Sequence, residues 1–464
     1  MPAGVGQSIV NSREGFEEFQ MSSLVEKPAS GRVDVPPRRE NIADVVRDRL
    51  CTACGTCAAV CPTGAISMDL DERRGTFKPT VKPSQCTECG LCRTCCPPIT
   101  WSNGQTSDLW DPHVGDYVRA FAGYATDEQL RHDAASGGFI TALLLHLLRK
   151  GLITGAVVTR RRDDEPLLGE PFLAATEEDI IAAKGSKYMP VPFDGILKGL
   201  LRWDLKGQRI AYVGLPCHLE GLFRASERFS VLREAVRYKI GIVCGRTPSL
   251  LAYDYILRRL HIPKSQVAQI RNRGDGWPGY MTISLKDGSN RRIHHTDYLA
   301  WGTVFSSPVF TPTGCELCVD PGGFCADVMV SDAWLPRFRD DHKGVNAILV
   351  KSQEMLDIVS SMKQEGSVEL LDSSVDEFVQ ANRSVMTQKL LNTQVALPLL
   401  AGRSAAKYAR NMTYVKRPTL GRRLKLFLFY MHVHVIMRLN LAKTMRFLNG
   451  PVMFYLKAIK LLKK

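Results

Sequence analysis

Two nucleotide-binding motifs are missing from the sequence. No G-x-G-x-x-G opens a helix after a predicted strand, and no G-x-x-x-x-G-K-[ST] is present. Because these glycines let the backbone approach phosphate groups, their absence argues against a Rossmann nicotinamide domain and against a P-loop. The first 20 residues also lack a basic region followed by an apolar core, the pattern of an export signal. We therefore expect a cytoplasmic protein with reduced thiols.

Acidic residues are absent from the C-terminal segment. Residues 401–464 contain 15 Lys or Arg and no Asp or Glu. Because the whole chain has a formal net charge of +14, residues 1–400 together carry −1. Such asymmetry is expected of a segment that meets an acidic or anionic partner. The excess positive charge therefore belongs to this basic tail and not to the chain in general.

The basic tail also has no long apolar run. Its longest run, Leu426 to Met437, has 12 residues, whereas a helix that spans a bilayer needs about 20. Basic amphipathic helices lie in the bilayer interface, where anionic lipid attracts them. We predict such a peripheral position on the inner face of the membrane, with a clamp on a partner subunit as the alternative. No groove-reading motif accompanies the charge, which argues against nucleic acid.

Cysteine is abundant, with 14 residues in a chain of 464. Eight of them form two runs of the pattern C-x2-C-x2-C-x3-C-P: Cys51, Cys54, Cys57 and Cys61, then Cys86, Cys89, Cys92 and Cys96. This pattern is typical of two-cluster ferredoxins, in which the fourth cysteine of each run binds the other cluster. Zinc sites pair C-x2-C knuckles and have no use for the third and fourth cysteines. A disulfide framework suits short secreted chains.

The spacing therefore predicts two [4Fe–4S] clusters. One would be held by the first three cysteines of the first run together with the last of the second: Cys51, Cys54, Cys57 and Cys96. The other would be held by the complementary set: Cys86, Cys89, Cys92 and Cys61. Cys95 is left over, and we interpret it as a spare thiol beside the cluster.

Strands and helices alternate after the ferredoxin pattern. GAVVT, RIAYVG and YKIGIVCG are apolar strand patterns separated by helical ones, which predicts a mostly parallel α/β sheet with helices on both faces. The fold class is thus α+β followed by α/β. We predict four segments: a loose arm at 1–40, a ferredoxin-like domain at 41–110 with a hairpin turning at 71–75, an α/β domain at 111–400 and the basic helical tail at 401–464.

One buried helix of the α/β domain has a glycine pair at its start. Ser136 is a suitable N-cap and Gly151 a suitable stop. Gly137 and Gly138 would let a ligand approach the helix N-terminus, where free N–H groups favour phosphate. Tight packing of the helix on the sheet explains the two glycines equally well.

Four further cysteines come from three separate segments. Cys217 and Cys244 each follow an apolar strand, and Cys315 and Cys318 form a C-x2-C knuckle. Because ligands gather at the carboxyl ends of parallel strands, these thiols could hold a third cluster. Two buried core cysteines plus a zinc or redox knuckle are the alternative. Cys325 is a fifth candidate thiol.

Seven short motifs resemble the beta-subunit family of coenzyme F420-reducing hydrogenases and dehydrogenases. They stand in the family's order between about residues 45 and 395: ASGGF, AKGSKYM, GLPCHLEGL, IGIVCG, RNRGDGWPG, CELC and ADVMVSDAWLP. The resemblance implies a ferredoxin module that feeds an FAD-binding α/β domain. It also implies a third [4Fe–4S] cluster on Cys217, Cys244, Cys315 and Cys318. The residues at motif positions expected to line the flavin are Ser136, Gly137, Gly138, Ser186, Lys187, Tyr188, Arg273, Gly274 and Trp277.

The sequence thus predicts an iron–sulfur flavoprotein oxidoreductase that passes electrons between its clusters and a hydride partner through FAD. Its expected partners are ferredoxin or another redox protein, and a deazaflavin such as coenzyme F420 or another hydride partner. No hydrogenase motif is present, and the basic tail lies outside the resemblance. Two alternatives stay open: an electron-transfer subunit of a membrane complex without its own substrate, and a reductase in surface polysaccharide biosynthesis. No catalytic residue is assigned.

Overall fold

The computed structural model describes residues 41–100, 107–297, 304–305, 308–388, 393, 396, 419–421, 423–428 and 431. The predicted arm at 1–40 and most of the basic tail lie outside these residues. Among the described residues, no helix is long and apolar enough to cross a membrane.

The secondary structure of the described residues comprises strands and short helices throughout. The strands are β1 (Ile66–Asp71), β2 (Thr76–Val81), β3 (Trp110–Asp111), β4 (Gly115–Asp116), β5 (Arg119–Ala125), β6 (Gly155–Arg161), β7 (Gly169–Ala174), β8 (Ile210–Gly214), β9 (Val236–Ile242), β10 (Val267–Arg271), β11 (Tyr280–Leu285), β12 (Asn290–His294), β13 (Val328–Asp332), β14 (Asn346–Val350) and β15 (Val368–Ser373). The helices are α1 (Ala43–Arg47), α2 (Thr56–Ala59), α3 (Leu91–Thr94), α4 (Pro97–Thr100), α5 (Glu128–Asp133), α6 (Phe139–Arg149), α7 (Glu177–Ala182), α8 (Asp194–Leu200), α9 (Pro216–Ser226), α10 (Ser230–Ala235), α11 (Leu251–Arg259), α12 (Thr313–Glu316), α13 (Gln353–Gln364) and α14 (Val375–Ala381).

The N-terminal module has the elements that its sequence predicts. β1 and β2 pair antiparallel and turn between Asp71 and Thr76, which confirms the predicted hairpin. The turn is closed by Gly75, whose φ of +63° is the left-handed conformation that glycine adopts without strain. Helices α2 and α3 are single turns inside the two cysteine runs. We call residues 41–100 the ferredoxin-like module.

A mixed eight-stranded sheet forms the body of the protein, in the order β15-β5-β14-β13-β9-β8-β6-β7. Only the pairs β13–β9, β9–β8 and β8–β6 are parallel; the other four pairs are antiparallel. The prediction of a mostly parallel sheet is therefore wrong for the sheet as a whole and right for the four consecutive strands β13, β9, β8 and β6. The difference arises because β14 and β7 fold back beside strands that precede them, and β5 inserts between β14 and β15.

Helices cover both faces of this sheet, as predicted. On one face, α6 and α13 bury Leu143, Leu147 and Met355 together with Ile240 of β9. The opposite face carries α8, α9 and α14, and its core is continuous with that of the ferredoxin-like module. Because a fully buried leucine contributes roughly 1.5–3 kcal/mol, this shared core attaches the module to the sheet by packing.

Glycines bring the module into direct contact with the body. A Cβ placed on Gly221 of α9 would lie 2.1 Å from Thr56 Oγ1, and one on Gly314 would lie 2.1 Å from the carbonyl oxygen of Cys51. Backbone hydrogen bonds reinforce the contact: Phe193 N donates to the carbonyl of Cys54 over 2.9 Å. The module therefore packs against α9, which follows β8, and against α12, which contains the first cysteine of the C-x2-C knuckle.

Candidate functional site

The two cysteine runs adopt the same local backbone conformation. Ala53 and Gly55 have φ of +61° and +89° in the first run, and Glu88 and Gly90 have φ of +54° and +77° in the second. Left-handed residues at matching positions turn successive N–H groups toward one side of the loop, as in anion-binding nests. Ala53 N accordingly donates to Cys51 Sγ over 3.4 Å. Both loops are thus shaped to surround a group held by their sulfurs.

The structure brings Cys96 beside the first run. Burial raises the pKa of the Cys96 thiol well above its usual value, and Cys54 and Cys51 raise it further. The pKa of the Cys57 thiol is shifted in the same direction by burial and by four cysteines: Cys54, Cys51, Cys96 and Cys92. Thiols that oppose each other's ionisation form a donor set that a metal cation stabilises, with release of protons.

Cys61 lies correspondingly beside the second run. Burial raises the pKa of Cys92 to about 11, and three thiols add to the shift: Cys89, Cys61 and Cys86. The fourth cysteine of each run therefore faces the other triplet, the arrangement that the spacing predicts for two clusters. Ligation by these particular residues stays a prediction.

The donor sets of both cysteine groups consist of thiols alone. Within the described ranges, no three His, Cys, Asp or Glu side chains have a geometry suited to one metal ion. A cubane presents four separate irons to four thiolates, so its ligands need not converge on one point. The soft, all-thiolate donor sets suit iron–sulfur clusters.

The second set of cysteines is also brought together. Cys217 lies in the first turn of α9, directly after β8, and Cys244 follows β9, the neighbouring strand in the sheet. Burial raises the pKa of Cys217 well above its usual value, and further cysteines contribute in the order Cys54, Cys244, Cys315 and Cys318. The four candidates for a third cluster thus lie together, beside Cys54 of the ferredoxin-like module.

Cys95 and Cys325 face other surroundings. Cys95 is fully buried, and burial raises its pKa to about 12. Cys325 Sγ donates a hydrogen bond to Glu220 Oε2 over 2.7 Å; burial and this carboxylate raise the pKa of Cys325. The carboxylate contact makes Cys325 a weaker candidate ligand than the four candidates for the third cluster: Cys217, Cys244, Cys315 and Cys318.

A cavity of about 420 Å³ lies at the carboxyl ends of the parallel strands. This volume is in the range of cofactor and substrate pockets, and the position is the one expected for ligands of parallel sheets. Cys217 and Cys244 form part of its wall, and Thr52 and Ala53 of the first cysteine run form another part. One cavity therefore adjoins two of the predicted cluster positions.

Six of the nine predicted flavin-lining residues line this cavity: Ser136, Gly138, Ser186, Lys187, Tyr188 and Arg273. Gly137, Gly274 and Trp277 are not part of its lining. Trp277 instead packs against Trp334, with ring centroids 4.4 Å apart, and Trp334 does line the cavity. The structure therefore gathers six of the nine residues around one cavity, and their contact with a flavin stays a prediction.

The start of α6 differs from its prediction. Gly138, with φ of +76°, is the N-cap, and it has no side chain with which to cap the helix. The predicted N-cap Ser136 is wrong because its hydroxyl donates instead to the carbonyl of Val345 over 2.9 Å. Asn346 Oδ1 accepts the first helical N–H, that of Phe139, at 3.1 Å. A Cβ on Gly137 would lie 2.7 Å from Asn346 Oδ1, so Gly137 serves close packing.

A buried polar network also lines the cavity. Arg273 Nη1 donates to Asp332 Oδ2 over 2.6 Å, and the Arg273 residue is only 3% exposed. Burial alone would lower the pKa of Arg273, but Asp332 and Tyr188 outweigh it and raise that pKa. Burial likewise raises the pKa of the Tyr188 hydroxyl. The cavity therefore presents a permanently charged guanidinium and a neutral phenol.

Lys187 is held by backbone carbonyls at its end of the cavity. Its Nζ donates to the carbonyls of Lys184 and Gly185 over 3.1 and 3.0 Å, and also to that of Ala183. These carbonyls follow α7, so the ammonium closes the C-terminal end of that helix. Burial, with a smaller contribution from Arg161, lowers the pKa of Lys187 to about 7.

The cavity residues that were not singled out from the sequence include Asp332, Trp334 and Asn346. Asp332 and Trp334 belong to the motif ADVMVSDAWLP, and Asn346 begins β14. All three line the cavity. The motif was a signal for the first two, because it stood in the family's order. Asn346 gave no signal, since its contact with α6 joins residues 207 positions apart.

Comparison with known proteins identifies the two parts of the chain. Residues 50–98 match the family 4Fe-4S dicluster domain. Residues 120–198 and 207–375 match the N-terminal and C-terminal domain families of Coenzyme F420 hydrogenase/dehydrogenase, beta subunit. The class is therefore that of iron–sulfur proteins with a ferredoxin-like module docked on an α/β body.

Individual relatives place the chain within one family. It is 31% identical over 232 residues to coenzyme F420 hydrogenase subunit beta of Methanothermobacter thermautotrophicus, covering 48% of this chain and 75% of that protein. It is 28% identical over 137 residues to the subunit of the same name from Methanosarcina barkeri, covering 29% and 46%. The chain belongs to the coenzyme F420 hydrogenase/dehydrogenase beta-subunit family, and the resemblance inferred from the seven motifs is confirmed.

Coverage is below two thirds for two of these three relatives. An uncharacterised protein of Methanocaldococcus jannaschii is 28% identical over 250 residues, which cover 52% of this chain and 62% of that protein. The chain thus spans less than two thirds of the length of this relative and of the Methanosarcina barkeri subunit.

Proposed function

We propose that this protein is an iron–sulfur flavoprotein oxidoreductase. It passes electrons between [4Fe–4S] clusters and a hydride-accepting coenzyme or substrate, through FAD held in the 420 Å³ cavity. The observation that carries this proposal is the shared wall: Cys217 and Cys244 line the same cavity as the helix N-terminus at Gly138. A cofactor bound there would lie directly against the third group of thiols.

The residues of this chain fit such a cofactor in charge and shape. Gly138 opens the backbone at the start of α6, while Arg273 and Tyr188 supply a cation and a phenol to the same cavity. Bound FAD would supply both hydride and single-electron chemistry. Arg273, positioned by Asp332, would balance negative charge there, and Trp334 adds an aromatic side chain to the lining.

The exposure of the cysteines indicates where an external redox partner would exchange electrons with the protein. Cys89 is exposed, whereas Cys54, Cys57 and Cys96 are buried. The second predicted cluster therefore lies nearer the surface than the first, and the first adjoins Cys217. This order supports a path for electrons that begins at a ferredoxin-like partner and passes through the two predicted clusters of the module. It continues to the third group of thiols and ends at the cavity.

Anaerobically purified protein tests the metal part of the proposal. We expect about 12 iron per chain, as three cubanes of four. The variant Cys315→Ser/Cys318→Ser should retain about 8, while the control Cys325→Ser should retain about 12 because its thiol binds Glu220. A double variant that keeps all its iron would contradict the third cluster and leave only the ferredoxin pair.

The flavin part is tested by a matched pair of glycine variants. Denatured native protein should release about one FAD per chain, as expected of a tightly bound redox cofactor. Gly138 and Gly151 bound the same helix and have φ of +76° and +64°, but no atom lies within 4 Å of a Cβ on Gly151. Gly138→Leu should lose FAD, and Gly151→Leu, with similar backbone strain, should keep it. Equal flavin content in the two variants would refute the assigned site.

Reduction experiments separate this proposal from an electron-transfer subunit. Reduced coenzyme F420 or another hydride donor should reduce the flavin and then the clusters of the holoprotein. Reduction by ferredoxin alone, with no response to any small hydride donor, would favour the subunit without its own substrate.

A further inference from the structure

The described part of the basic tail is a helix with an exposed apolar stripe. Residues 420–431 are helical wherever they are described, and Arg423 N donates to the carbonyl of Thr419 over 2.8 Å. Five of its large apolar side chains are exposed: Leu420, Leu424, Phe427, Leu428 and Met431. Leu420 is 81% exposed and Leu428 is 62% exposed. These side chains have a substantial apolar area that remains in contact with water.

The five side chains share one face of the helix. With about 100° per residue, they fall within an arc of about 100°. Leu426 lies about 150° from the centre of that arc, and it is buried at 5% exposure within the main core. The helix is therefore anchored to the body by one side and presents its apolar stripe outward.

Basic side chains flank this stripe. Arg423 and Lys425 are exposed and lie on opposite borders of the arc, about 40° and about 60° beyond its edges. Long basic side chains at such borders extend their charged ends to head groups while their stems stay in apolar surroundings. This arrangement of a narrow apolar face with cations on both sides is that of an interfacial helix.

We propose that residues 420–431 insert into the interface of an anionic membrane and hold the protein on its surface. Charge selects lipid as the occupant, because residues 401–464 carry 15 Lys or Arg and no Asp or Glu. A protein partner would gain from paired charges of both signs, whereas an anionic leaflet attracts cations alone. The inference rests on the tail only and is independent of the cofactors proposed above.

Binding of the full-length holoprotein to vesicles tests this assignment. Vesicles of phosphatidylcholine with phosphatidylglycerol should bind the protein, and vesicles of phosphatidylcholine alone should bind it more weakly. Added salt should weaken binding to the anionic vesicles without abolishing it, because salt screens the cations but not apolar insertion.

Two sets of variants separate apolar insertion from charge. Leu424→Gln/Leu428→Gln should weaken binding about tenfold or more, since two leucines no longer leave water. The control Leu70→Gln/Leu109→Gln changes exposed leucines outside the tail and should stay within about twofold of the native protein, because neither side chain meets lipid. Arg423→Gln/Lys425→Gln should weaken binding about tenfold at low salt and much less at high salt.

The thermal unfolding midpoint, measured on every variant, confirms that the body is folded. The proposal is overturned if the two leucine pairs affect binding equally, or if the native protein binds neither type of vesicle. In the latter case the exposed stripe is a contact surface for another protein subunit.

Discussion

Replacing Gly314 by alanine should separate the ferredoxin-like module from the α/β body. A Cβ at this position would lie 2.1 Å from the carbonyl oxygen of Cys51 and 2.6 Å from that of Leu50. Both neighbours are backbone atoms, so no side-chain rotation relieves the overlap. The module must move away from α12, which carries Cys315, and the contact between the first cysteine run and the knuckle should open.

The size of the effect follows from comparison with two other glycines. Overpacking in a dense interior costs about 1–3 kcal/mol, and we expect about 3 kcal/mol at Gly314 because backbone has to shift. At Gly221 the nearest atom is Thr56 Oγ1, which can rotate, and alanine gains about 1 kcal/mol of helix propensity. Gly195 in α8 has no neighbour within 4 Å, so Gly195→Ala should stabilise by about 0.5 kcal/mol.

Thermal unfolding under argon at one fixed scan rate measures the series, because loss of cofactors makes unfolding irreversible. The unfolding midpoint should fall in the order Gly195→Ala, Gly221→Ala, Gly314→Ala. Gly314→Ala should also release iron more readily than the other two variants. If Gly314→Ala is as stable as Gly195→Ala, the close contact between Gly314 and Cys51 does not exist and the docking described above is wrong.

Two further predictions concern charged groups around the cavity. Asp332→Asn removes the partner of the buried Arg273 and should destabilise the protein by about 3 kcal/mol; the control Asp372→Asn removes the partner of Arg119 in an exposed pair and should cost at most about 0.5 kcal/mol, both measured as shifts of the thermal midpoint. Although burial opposes it, the hydrogen bond from Lys184 lowers the pKa of Asp133 to about 2, so its stabilising contribution is present above about pH 4 and is lost as the pH falls toward 2. Asp133→Asn should therefore destabilise the protein at pH 5 and have a diminishing effect in acid unfolding between about pH 4 and 2; an effect that does not change over this range would contradict the ion pair.

The features that the sequence predicted well are set by residues close together in the chain. The hairpin of β1 and β2 turns at Gly75, and both cysteine runs carry glycine at the position that needs a left-handed backbone. The central strands were also predictable, because parallel strands buried on both faces are continuous apolar runs. These signals act over a few residues and need no knowledge of the rest of the fold.

The errors arise where distant segments compete with a local pattern. Ser136 has the residue type of an N-cap, yet its hydroxyl donates to Val345, which lies 209 positions later. The antiparallel part of the sheet depends in the same way on β5 pairing with β14 and β15, strands more than 200 positions further along. Single-sequence periodicity cannot reveal either contact, because it describes which face of a segment is buried and not against what.

The second set of cysteines shows how topology creates a site that spacing leaves open. β8 and β9 are adjacent and parallel, so Cys217 and Cys244, which follow them, arrive at the same edge of the sheet. Gly314 lets the segment with Cys315 approach Cys51. The third group of thiols, all four of which belong to the α/β body, therefore lies where the body meets the ferredoxin-like module, beside Cys54. Because both parts share one core, the distance between the first cysteine run and the cavity is fixed by packing. Under the proposed function, electrons would then be exchanged with outside partners at the surface near Cys89 and at the cavity. Neither part would need to move relative to the other.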